Sequence, residues 1–302
     1  MNFSGLTVLV TGAGGSIGSE VALLLHQSGA RVVLLDRDES LLHATQLKMA
    51  GRADLGDGDV VLADIRDEAA ICRAFKQIRP DAVIHSAALK HVSALEKFPL
   101  EGWQTNVVGT LNVLKSCLES GVERVVNVST DKAADPESVL GKTKMIAERL
   151  TAWAADQAPG KHLVSVRFGN VIGSRGSVFE TWRAQISRGG PLTLSDENAM
   201  RYFISVRQAA EALLSSMTRG KSGQVLVMRM ADPIRVGDVA RQQIASSGKN
   251  VEIIETGLQQ GEKLSEILVG RQEEVVAQDE LFSYLNTAIL RPDELEFDRL
   301  GE

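Results

Sequence analysis

Thr130, Asp131 and Lys132 place a hydroxyl, a carboxylate and an amine side by side, shortly after the mainly apolar residues 125–128. These are the groups that enzymes use as general acids and bases. A solvated loop pair is the commonest alternative for an Asp-Lys dipeptide, but a position at the end of a predicted strand favours a functional role. Lys144, on the helix predicted to follow, could add positive charge to the same site or lie on the surface.

A glycine-rich turn near the N-terminus predicts a phosphate-binding loop. The apolar, β-branched residues 6–10 are typical of a strand buried on both faces, and a helical pattern follows the turn. Glycines between a strand and a helix permit a tight turn, close approach of the backbone to a pyrophosphate, and packing of the helix on the strand. Free N–H groups at the helix N-terminus would then bind the pyrophosphate. The residues predicted to do so are Gly12, Gly14, Gly15, Ser16, Ile17 and Gly18.

The second predicted strand, residues 31–35, ends at Asp36, and an acid in this position bears on the choice of dinucleotide. A carboxylate there accepts hydrogen bonds from both ribose hydroxyls of an adenosine and repels a 2′-phosphate, which favours NAD. The neighbouring Arg37 could instead pair with a phosphate or stack on adenine, so NADP is the alternative. Asp36 could also be an ordinary loop acid that caps the next helix.

Strand and helix patterns alternate as far as residue 167, which predicts a parallel sheet with right-handed crossovers and helices on both faces. We therefore predict an α/β fold in which residues 1–167 form a Rossmann-type doubly wound sheet. Residues 168–302 are predicted to form mainly a small C-terminal substrate-binding lobe, with segments near 201–230 returning to the first domain. The charged tail from Arg271 onward is expected to be helical or loosely packed. Sites in such sheets lie beyond the carboxyl ends of the strands, where the sequence places Gly12, Asp36, Asp64, Ser86-Ala87-Ala88 and Thr130-Asp131-Lys132.

The composition favours a soluble enzyme. The chain has 302 residues, of which 44% are hydrophobic and 24% charged, so it can bury a large core. A net charge of −6, with no basic tract carrying interleaved aromatics, argues against a nucleic-acid partner. Cys72 and Cys117 are predicted to be buried thiols, and no metal site is expected. The early first strand and the lack of a membrane-length apolar run predict a cytoplasmic protein with no signal peptide and no membrane partner.

Several motifs resemble those of the extended short-chain dehydrogenases that act as UDP-N-acetylhexosamine 4,6-dehydratases in bacterial polysaccharide synthesis. The resemblance covers roughly residues 5–270 and is to the short, soluble forms of this capsular polysaccharide biosynthesis family. The 167–178 segment and the Thr-Asp-Lys set are specific to the family within its superfamily. The matching motifs are residues 11–18, 87–92, 105–110, 129–133, 167–178, 201–203 and 261–264.

The resemblance implies a reaction on UDP-N-acetylglucosamine or a related UDP-hexosamine. Oxidation of C4 to a ketone makes the C5 proton acidic, water leaves across C5 and C6, and the stored hydride returns to C6 to give a 4-keto-6-deoxy sugar. By resemblance Asp131 is the acid for the C6 hydroxyl, Lys132 is the base for the C5 proton, and Thr130 hydrogen-bonds the C4 oxygen. Lys144 completes the catalytic set and holds the nicotinamide ribose. Because a base must be neutral, we expect a lowered pKa for Lys132, from burial or from a neighbouring cation.

The resemblance also implies binding residues. Beside Asp36 and the glycine-rich loop, the cofactor would contact Arg37, Asp64, Ile65, Ala87, Ala88, Lys90, Asn106 and Lys144. The sugar nucleotide would contact Lys90, His91, Asn170, Val171, Arg175, Ser177, Arg201 and Glu262. An arginine suits a diphosphate because its fork donates two charge-assisted hydrogen bonds. Relatives often assemble as dimers or hexamers, so a homo-oligomer is expected.

Leu140 stands where this superfamily normally has a tyrosine, four residues before the catalytic lysine on one helix face. No tyrosine elsewhere in the chain has a lysine at that spacing. The C4 hydroxyl proton must therefore leave by another route, through a water to Asp131 or through Lys144 or Thr130.

Two alternatives to the dehydratase stay open. One is a nucleotide-sugar epimerase that acts through the same 4-keto intermediate. The other is a catalytically silent relative that binds NAD or a sugar nucleotide. The presence of the whole Thr130-Asp131-Lys132 set argues against the silent protein, and the product mass separates an epimerase from a dehydratase.

Overall fold

The computed structural model of the protein describes residues 3–300, in which strands and helices alternate from the N-terminus. The strands, in chain order, are Thr7–Thr11 (β1), Arg31–Asp36 (β2), Val60–Leu62 (β3), Ala82–His85 (β4), Arg124–Val128 (β5), His162–Arg167 (β6), Asn170–Ile172 (β7), Leu192–Leu194 (β8), Met200–Arg201 (β9), Phe203–Ser205 (β10), Val225–Met228 (β11), Ile234–Arg235 (β12), Ile253–Glu255 (β13), Val275–Gln278 (β14) and Phe282–Leu285 (β15).

The helices lie between these strands. The α-helices are Ser16–Gln27 (α1), Glu39–Ala50 (α2), Glu68–Ile78 (α3), Val92–Lys97 (α4), Pro99–Gly102 (α5), Gly109–Ser120 (α6), Val139–Gln157 (α7), Val178–Ser187 (α8), Val206–Ser216 (α9) and Val236–Ser247 (α10). A π-helical turn, Trp103–Val108, joins α5 to α6. Short 3₁₀ turns occur at Asp131–Ala133, Pro292–Glu294 and Phe297–Leu300.

Nine strands form one sheet in the order β14-β15-β11-β6-β5-β4-β1-β2-β3. The seven strands from β11 to β3 pair in parallel, and β15 and β14 continue the sheet as antiparallel strands. The predicted α/β, Rossmann-type fold is therefore confirmed. The strand order reverses at β1, which lies between β2 and β4, and ligands of open parallel sheets bind in the crevice at such a point.

Both faces of the sheet are covered. On one face α1 and α9 pack on apolar residues of the central strands, including Val8, Val10 and Leu34. On the other face α3, α6 and α7 pack on residues such as Leu9 and Val125. Strands that are buried on both faces read as continuous apolar runs, which is why residues 6–10 are recognisable in the sequence.

The tail beyond Arg271 differs from the prediction. It was expected to be helical or loosely packed, but it forms β14 and β15, and β15 pairs with β11 in antiparallel register. Phe282 and Tyr284 are buried against the main core. Charged residues flank both strands of this short hairpin, so its few apolar positions do not form a pattern that a periodicity analysis would detect.

The remaining short strands make three two-stranded pairs, β7 with β10, β8 with β13 and β9 with β12. Strands β8, β10 and β13 contribute, with α8 and α10, to a separate apolar cluster centred on Trp182, which is fully buried. Cys117 is buried and Cys72 half-buried, and neither forms a disulfide. Across residues 3–300 no helix is both long and apolar enough to cross a bilayer. That same part of the chain holds no group of three or more His, Cys, Asp or Glu side chains suited to a metal ion.

Candidate active site

The glycine-rich loop between β1 and α1 lies tightly against the end of a neighbouring strand. Gly12 has a φ of +64°, and a Cβ at this position would lie 2.6 Å from the backbone nitrogen of Ala87, just beyond β4. Only glycine permits this approach. A Cβ at Gly18 would collide with the carbonyl oxygen of Gly12, so the first turn of α1 also packs directly on the loop. No side chain caps α1, which leaves the N–H groups of its first turn available to an anion.

Asp36 at the end of β2 is fixed by backbone donors. Its Oδ2 accepts a hydrogen bond from the Gly14 nitrogen at 2.8 Å, and its Oδ1 accepts from the nitrogens of Arg37 and Asp38 at 2.8 and 3.1 Å. The Arg37 guanidinium lies 3.6 Å from Asp64 Oδ2. Burial opposes ionisation of Asp64, but hydrogen bonds from Arg66 and the charges of Arg66 and Arg37 outweigh it and lower its pKa.

These residues open onto a cleft of about 160 Å³ at the point where the strand order reverses. It is a partly open space between the glycine-rich loop, the ends of β2 and β3, and the loop after β4. Its lining residues are Gly12, Gly15, Leu35, Asp36, Arg37, Leu41, Ala63, Asp64, Ile65, Ser86, Ala87, Ala88, Leu89 and Thr105. Eight of the predicted cofactor residues therefore meet at one surface: Gly12, Gly15, Asp36, Arg37, Asp64, Ile65, Ala87 and Ala88.

Two neighbours on the π-helical turn have different environments. Asn106 is fully buried and uses its amide within the protein, donating to Leu89 O at 3.0 Å and Thr143 Oγ1 at 3.1 Å and accepting from Leu89 N at 2.8 Å. Its contacts position the loop after β4 against α7. Thr105 lines the cleft, and its buried Oγ1 has no hydrogen-bond partner among the described residues. The sequence prediction missed Thr105, although it lies within the quoted 105–110 motif.

Thr130, Asp131 and Lys132 form a compact polar cluster at the carboxyl end of β5. Asp131 is fully buried, and its Oδ1 accepts hydrogen bonds from Thr130 Oγ1 and Lys132 Nζ, both at 3.0 Å. Asn170 Oδ1 lies 3.4 Å from the same amine. Asp131 Oδ2 has no partner within residues 3–300. One carboxylate oxygen thus contacts both a hydroxyl and an amine, and the other has no partner among the described residues.

The environment of Lys132 contradicts the expected lowered pKa. Burial disfavours its charge, but the carboxylates of Asp131 and Glu266 outweigh burial and raise the pKa. Glu266 Oε1 lies 3.5 Å from Lys132 Nζ. Sequence reasoning missed Glu266, which lies 134 positions further along the chain and two residues beyond the quoted 261–264 motif. Only its place next to that motif could have drawn notice.

The lowered pKa belongs to Lys144 instead. Its side chain is 5% exposed, and burial lowers its pKa to about 8 against the opposing charge of Glu148. Burial and the charge of Lys144 also lower the pKa of His85 to about 3. His85 bridges Thr11 and Thr110 through its two ring nitrogens at 2.7 and 2.9 Å, so it joins the ends of β1 and β4 to α6.

Leu140 packs in a small apolar cluster with Leu95 and Val139, and Leu89 and Val92 border it. It is 5% exposed and brings no polar atom to the site. The titratable side chains in direct contact within the polar cluster are therefore Asp131, Lys132 and Glu266.

Residues 174–176, which we call the strap, run from β7 to the glycine-rich loop. The Arg175 guanidinium donates to the Gly14 carbonyl, and the Arg175 nitrogen donates to Ser16 Oγ at 2.8 Å. Lys90 Nζ donates to the Arg175 carbonyl at 2.5 Å. Lys90 and Arg175 are thus brought together at the glycine-rich loop.

The other predicted substrate residues are spread more widely. A Cβ at Gly176 would lie 2.9 Å from the His91 ring, and buried Ser177 Oγ has no partner among the described residues. Val171 packs against the main core. Glu262 lies in a separate surface depression with Asp135, Lys263 and Arg271, and the structure does not bring it to Lys132.

Arg201 is engaged within the protein. Its guanidinium donates to the carbonyls of Met200, Leu264 and Lys263 at 2.8, 3.1 and 2.7 Å. It is also close enough for its charge to act on Lys132. Arg201 therefore ties the segment that carries Glu266 to β9.

A buried ion network supports the site from behind. Arg167 is fully buried at the end of β6 and donates to Glu148 Oε2 at 2.7 Å and to Glu273 Oε2 at 2.7 Å. Ser129, next to Thr130, donates to Glu148 Oε1 at 2.5 Å. The network fixes α7, and with it Lys144, relative to the end of β5.

Known proteins with similar sequences cover most of the chain. The sequence model of the polysaccharide biosynthesis protein family matches residues 8–286. Capsular polysaccharide biosynthesis protein CapD of Staphylococcus aureus is 36% identical over 272 residues, which are 88% of this chain and 45% of CapD. The chain thus spans about half the length of that relative. UDP-N-acetylglucosamine 4,6-dehydratase (inverting) of Campylobacter jejuni is 30% identical over 276 residues, 90% of this chain and 79% of the relative. UDP-glucose 4-epimerase of Rickettsia conorii is 32% identical over 281 residues, with coverage of 90% and 80%.

Solved structures agree with the sequence comparisons. Pen from Bacillus thuringiensis superposes with a TM-score of 0.86 and is 30% identical, over 95% of this chain and 91% of that one. MoeE5 in complex with UDP-glucose and NAD superposes with a TM-score of 0.73 and is 28% identical, over 88% and 90%. The chain therefore belongs to the polysaccharide biosynthesis protein family and has the Rossmann-type fold of short-chain dehydrogenase/reductase epimerases and dehydratases.

Proposed function

We propose that the chain is an NAD-dependent 4,6-dehydratase that converts UDP-N-acetylglucosamine, or a related UDP-hexosamine, to a 4-keto-6-deoxy sugar. The observation that carries this proposal is the buried contact between Asp131 and Lys132, with Thr130 bonded to the same carboxylate. A relative that is 30% identical over most of this chain bears the name of this activity. Its substrate is the basis for proposing UDP-N-acetylglucosamine here.

The cleft at the strand reversal fits NAD. Its glycine-rich wall admits close approach of a pyrophosphate, and the uncapped N-terminus of α1 offers N–H donors. Asp36 lies where it would accept the ribose hydroxyls, and Thr105 Oγ1 is a buried group in the cleft that lacks a partner among residues 3–300. When bound, NAD supplies reversible hydride transfer to and from carbon. The Arg37 guanidinium lies near Asp64, so the part of the cleft expected to bind adenosine contains two carboxylates, Asp36 and Asp64. Their negative charge would repel a 2′-phosphate, which favours NAD over NADP.

Thr130 supplies the route for the C4 hydroxyl proton that Leu140 cannot provide. Its hydroxyl already donates to Asp131 at 3.0 Å, so a C4 hydroxyl bonded to Thr130 would pass its proton through that hydroxyl to Asp131. Asp131 is then the protonated acid that the next step requires. The proton taken up by the Asp131 carboxyl group would then pass to the C6 hydroxyl, which leaves as water.

Lys132 is the base for the C5 proton. Its pKa is raised while Asp131 is charged, and it falls once Asp131 has taken up the C4 proton, because the principal counter-charge is then neutralised. Lys144, whose pKa is about 8, would gain and lose a proton readily near neutral pH, and its charged form would lie beside the nicotinamide ribose. After elimination Lys132 returns to C5 the proton that it took from C5, and Asp131 ends as the carboxylate in which it began.

The test is mass spectrometry of the purified protein incubated with UDP-N-acetylglucosamine and NAD, without added reductant. We expect a product lighter by the mass of one water, and we expect Asp131→Asn to form none while still binding NAD. A new sugar isomer of unchanged mass would support the epimerase, the activity for which the Rickettsia relative is named. Binding without any conversion would contradict both enzymes and support a silent nucleotide-binding protein.

A further inference from the structure

Lys132 lies between two carboxylates that come from distant parts of the chain. Asp131 Oδ1 is 3.0 Å from Lys132 Nζ and Glu266 Oε1 is 3.5 Å away. The side chains of both acids are nearly or fully buried, at 0% and 2% exposed, and that of Lys132 is 17% exposed. Each acid also keeps one oxygen, Asp131 Oδ2 and Glu266 Oε2, without a partner in the described part of the chain. The cluster therefore has one cation, two anions and two free acceptor atoms.

Glu266 is held in this place by its own segment. Arg201 donates to the Lys263 and Leu264 carbonyls, and Met200 pairs with Ser265 in a short parallel bridge. Lys263 in turn donates to the carbonyls of Ala134 and Asp135, directly beyond the 3₁₀ turn that holds Lys132. A carboxylate buried in this way without full hydrogen bonding is costly, so its retention calls for a chemical reason.

The proposed dehydratase reaction, on which this inference rests, supplies such a reason. The C4 proton reaches Asp131 through Thr130, which removes the anion nearest to Lys132. A protonated Lys132 would then face only Glu266, and it could not act as a base until it lost its proton. Two opposite charges in a desolvated site are neutralised when a proton passes from the ammonium to the carboxylate.

We propose that Glu266 accepts the proton of Lys132 and so leaves the amine neutral for attack on C5. The N–H bond of Lys132 breaks and an O–H bond forms at Glu266, without change in the net charge of the cluster. Lys132 then takes the C5 proton as the C6–O bond breaks, and the proton on Asp131 leaves with the C6 hydroxyl as water. Lys132 gives its proton back to C5 after C6 is reduced, and Glu266 returns the stored proton to Lys132. Glu266 acts only through Lys132 and is a positioning residue in this sense.

The experiment follows the two halves of the reaction separately in Glu266→Gln. Oxidation of C4 needs Thr130 and Asp131 but not Glu266, whereas removal of the C5 proton needs a neutral Lys132. Mixed with UDP-N-acetylglucosamine at neutral pH, the variant should form reduced nicotinamide, seen by its near-ultraviolet absorbance, at the wild-type rate. It should then lose water at least about tenfold more slowly, a loss within the range of general acid–base effects. Raising the pH should restore the second step, because solvent base then removes the proton of Lys132.

Controls separate this role from a structural one. Glu274 is exposed on the same C-terminal segment, and Glu274→Gln makes the same chemical change without touching the cluster, so it should behave as wild type. Glu266→Asp keeps a carboxylic acid and should retain part of the second-step rate. Thermal unfolding of all variants with bound NAD identifies any that fold poorly.

The outcomes are distinct. Equal slowing of both halves in Glu266→Gln, or a rate of water loss whose pH dependence is unchanged or moves to lower pH, would overturn the proton-acceptor role. If the wild-type protein oxidises C4 and returns an isomer without loss of water, the proposed dehydratase function fails, and this inference fails with it. A wild type that dehydrates together with a Glu266→Gln variant of full activity contradicts the role of Glu266 alone.

Discussion

At the scale of single residues, burial of the Lys144 amine lowers the stability of the folded protein near neutral pH. Its amine is buried on α7, and burial holds its pKa at about 8 rather than the ordinary 10.5. Between these two pH values the unfolded chain keeps a proton that the folded chain has lost, so the contribution of Lys144 to the free energy of unfolding rises with pH. Below about pH 8 the folded state carries the full penalty of a buried cation, at most about 3 kcal/mol.

Lys144→Met should therefore raise the free energy of unfolding at about pH 7, by roughly 1–3 kcal/mol in the absence of ligands, and abolish turnover. The gain should shrink toward about pH 10, because the wild-type amine is then neutral in the folded state as well. Urea unfolding of both proteins at about pH 7 and about pH 10 measures this difference in the free energy of unfolding. Lys115→Met, at an exposed position on α6, changes the charge by the same amount and should show no such trend. A loss of stability in Lys144→Met at neutral pH would contradict the argument.

Sequence reasoning predicted the Thr130–Lys132 cluster but not its electrostatics. Thr130, Asp131 and Lys132 are adjacent in the chain, so their proximity follows from the sequence alone. The pKa of Lys132 was predicted with the wrong sign because burial was considered without the opposing charges of Asp131, its neighbour in sequence, and of Glu266. A contact across 134 positions depends on the folded path of the chain, and a single sequence carries no signal of it.

At the scale of secondary-structure elements, the Arg167 network joins β6, α7 and the segment before β14. Arg167 and Glu148 have side chains that are 0% and 1% exposed, whereas that of Glu273 is 27% exposed. Removing one partner of such a buried pair leaves the other charged and poorly solvated, and this is far more costly than replacing both. The network thus holds β6, α7 and the segment before β14 in one arrangement.

Arg167→Met should lower the free energy of unfolding by about 3–5 kcal/mol, since it leaves Glu148 buried with Ser129 as its remaining donor. The double variant Arg167→Met/Glu148→Gln should recover part of that loss, which a double-mutant cycle in urea would measure. Arg31→Met serves as the control, because its ion pair with Asp59 lies at the surface and should matter by about 1 kcal/mol or less. Additive losses in the double variant would show that the two charges are not coupled.

The elements that the sequence predicted well are those with long, uniform patterns. The strands predicted at residues 6–10 and 31–35 are mainly apolar runs bounded by glycine or acid, and they correspond to the parallel strands β1 and β2. The hairpin of β14 and β15 was missed because each strand has only four residues and charges surround both. The hairpin joins the sheet because β15 pairs with β11, which lies more than fifty positions earlier, and no local pattern signals that pairing.

At the scale of the whole molecule, the strap connects the part of the chain beyond β6 to the glycine-rich loop. Arg175 bonds to Gly14 and Ser16, and Lys90 holds the Arg175 carbonyl from the other side. In the proposed reaction the cofactor ends each cycle in the state in which it began, so it has no need to leave. A strap closed over the glycine-rich loop suits such an enzyme, because it would retain the cofactor through many turnovers.

Lys90→Ala should therefore speed NAD dissociation. A hydrogen bond from a charged group contributes about 1.5–3 kcal/mol, and its loss corresponds to a rate increase of roughly tenfold or more. Arg175→Ala should act similarly, and the double variant should add little, since both side chains act through one strap. Stopped-flow displacement of bound NAD measures these rates, with Lys97→Ala on the exposed side of α4 as the control. Multiplicative effects of the two substitutions would mean that each side chain contacts the cofactor independently, and unchanged rates would mean that the strap does not retain it.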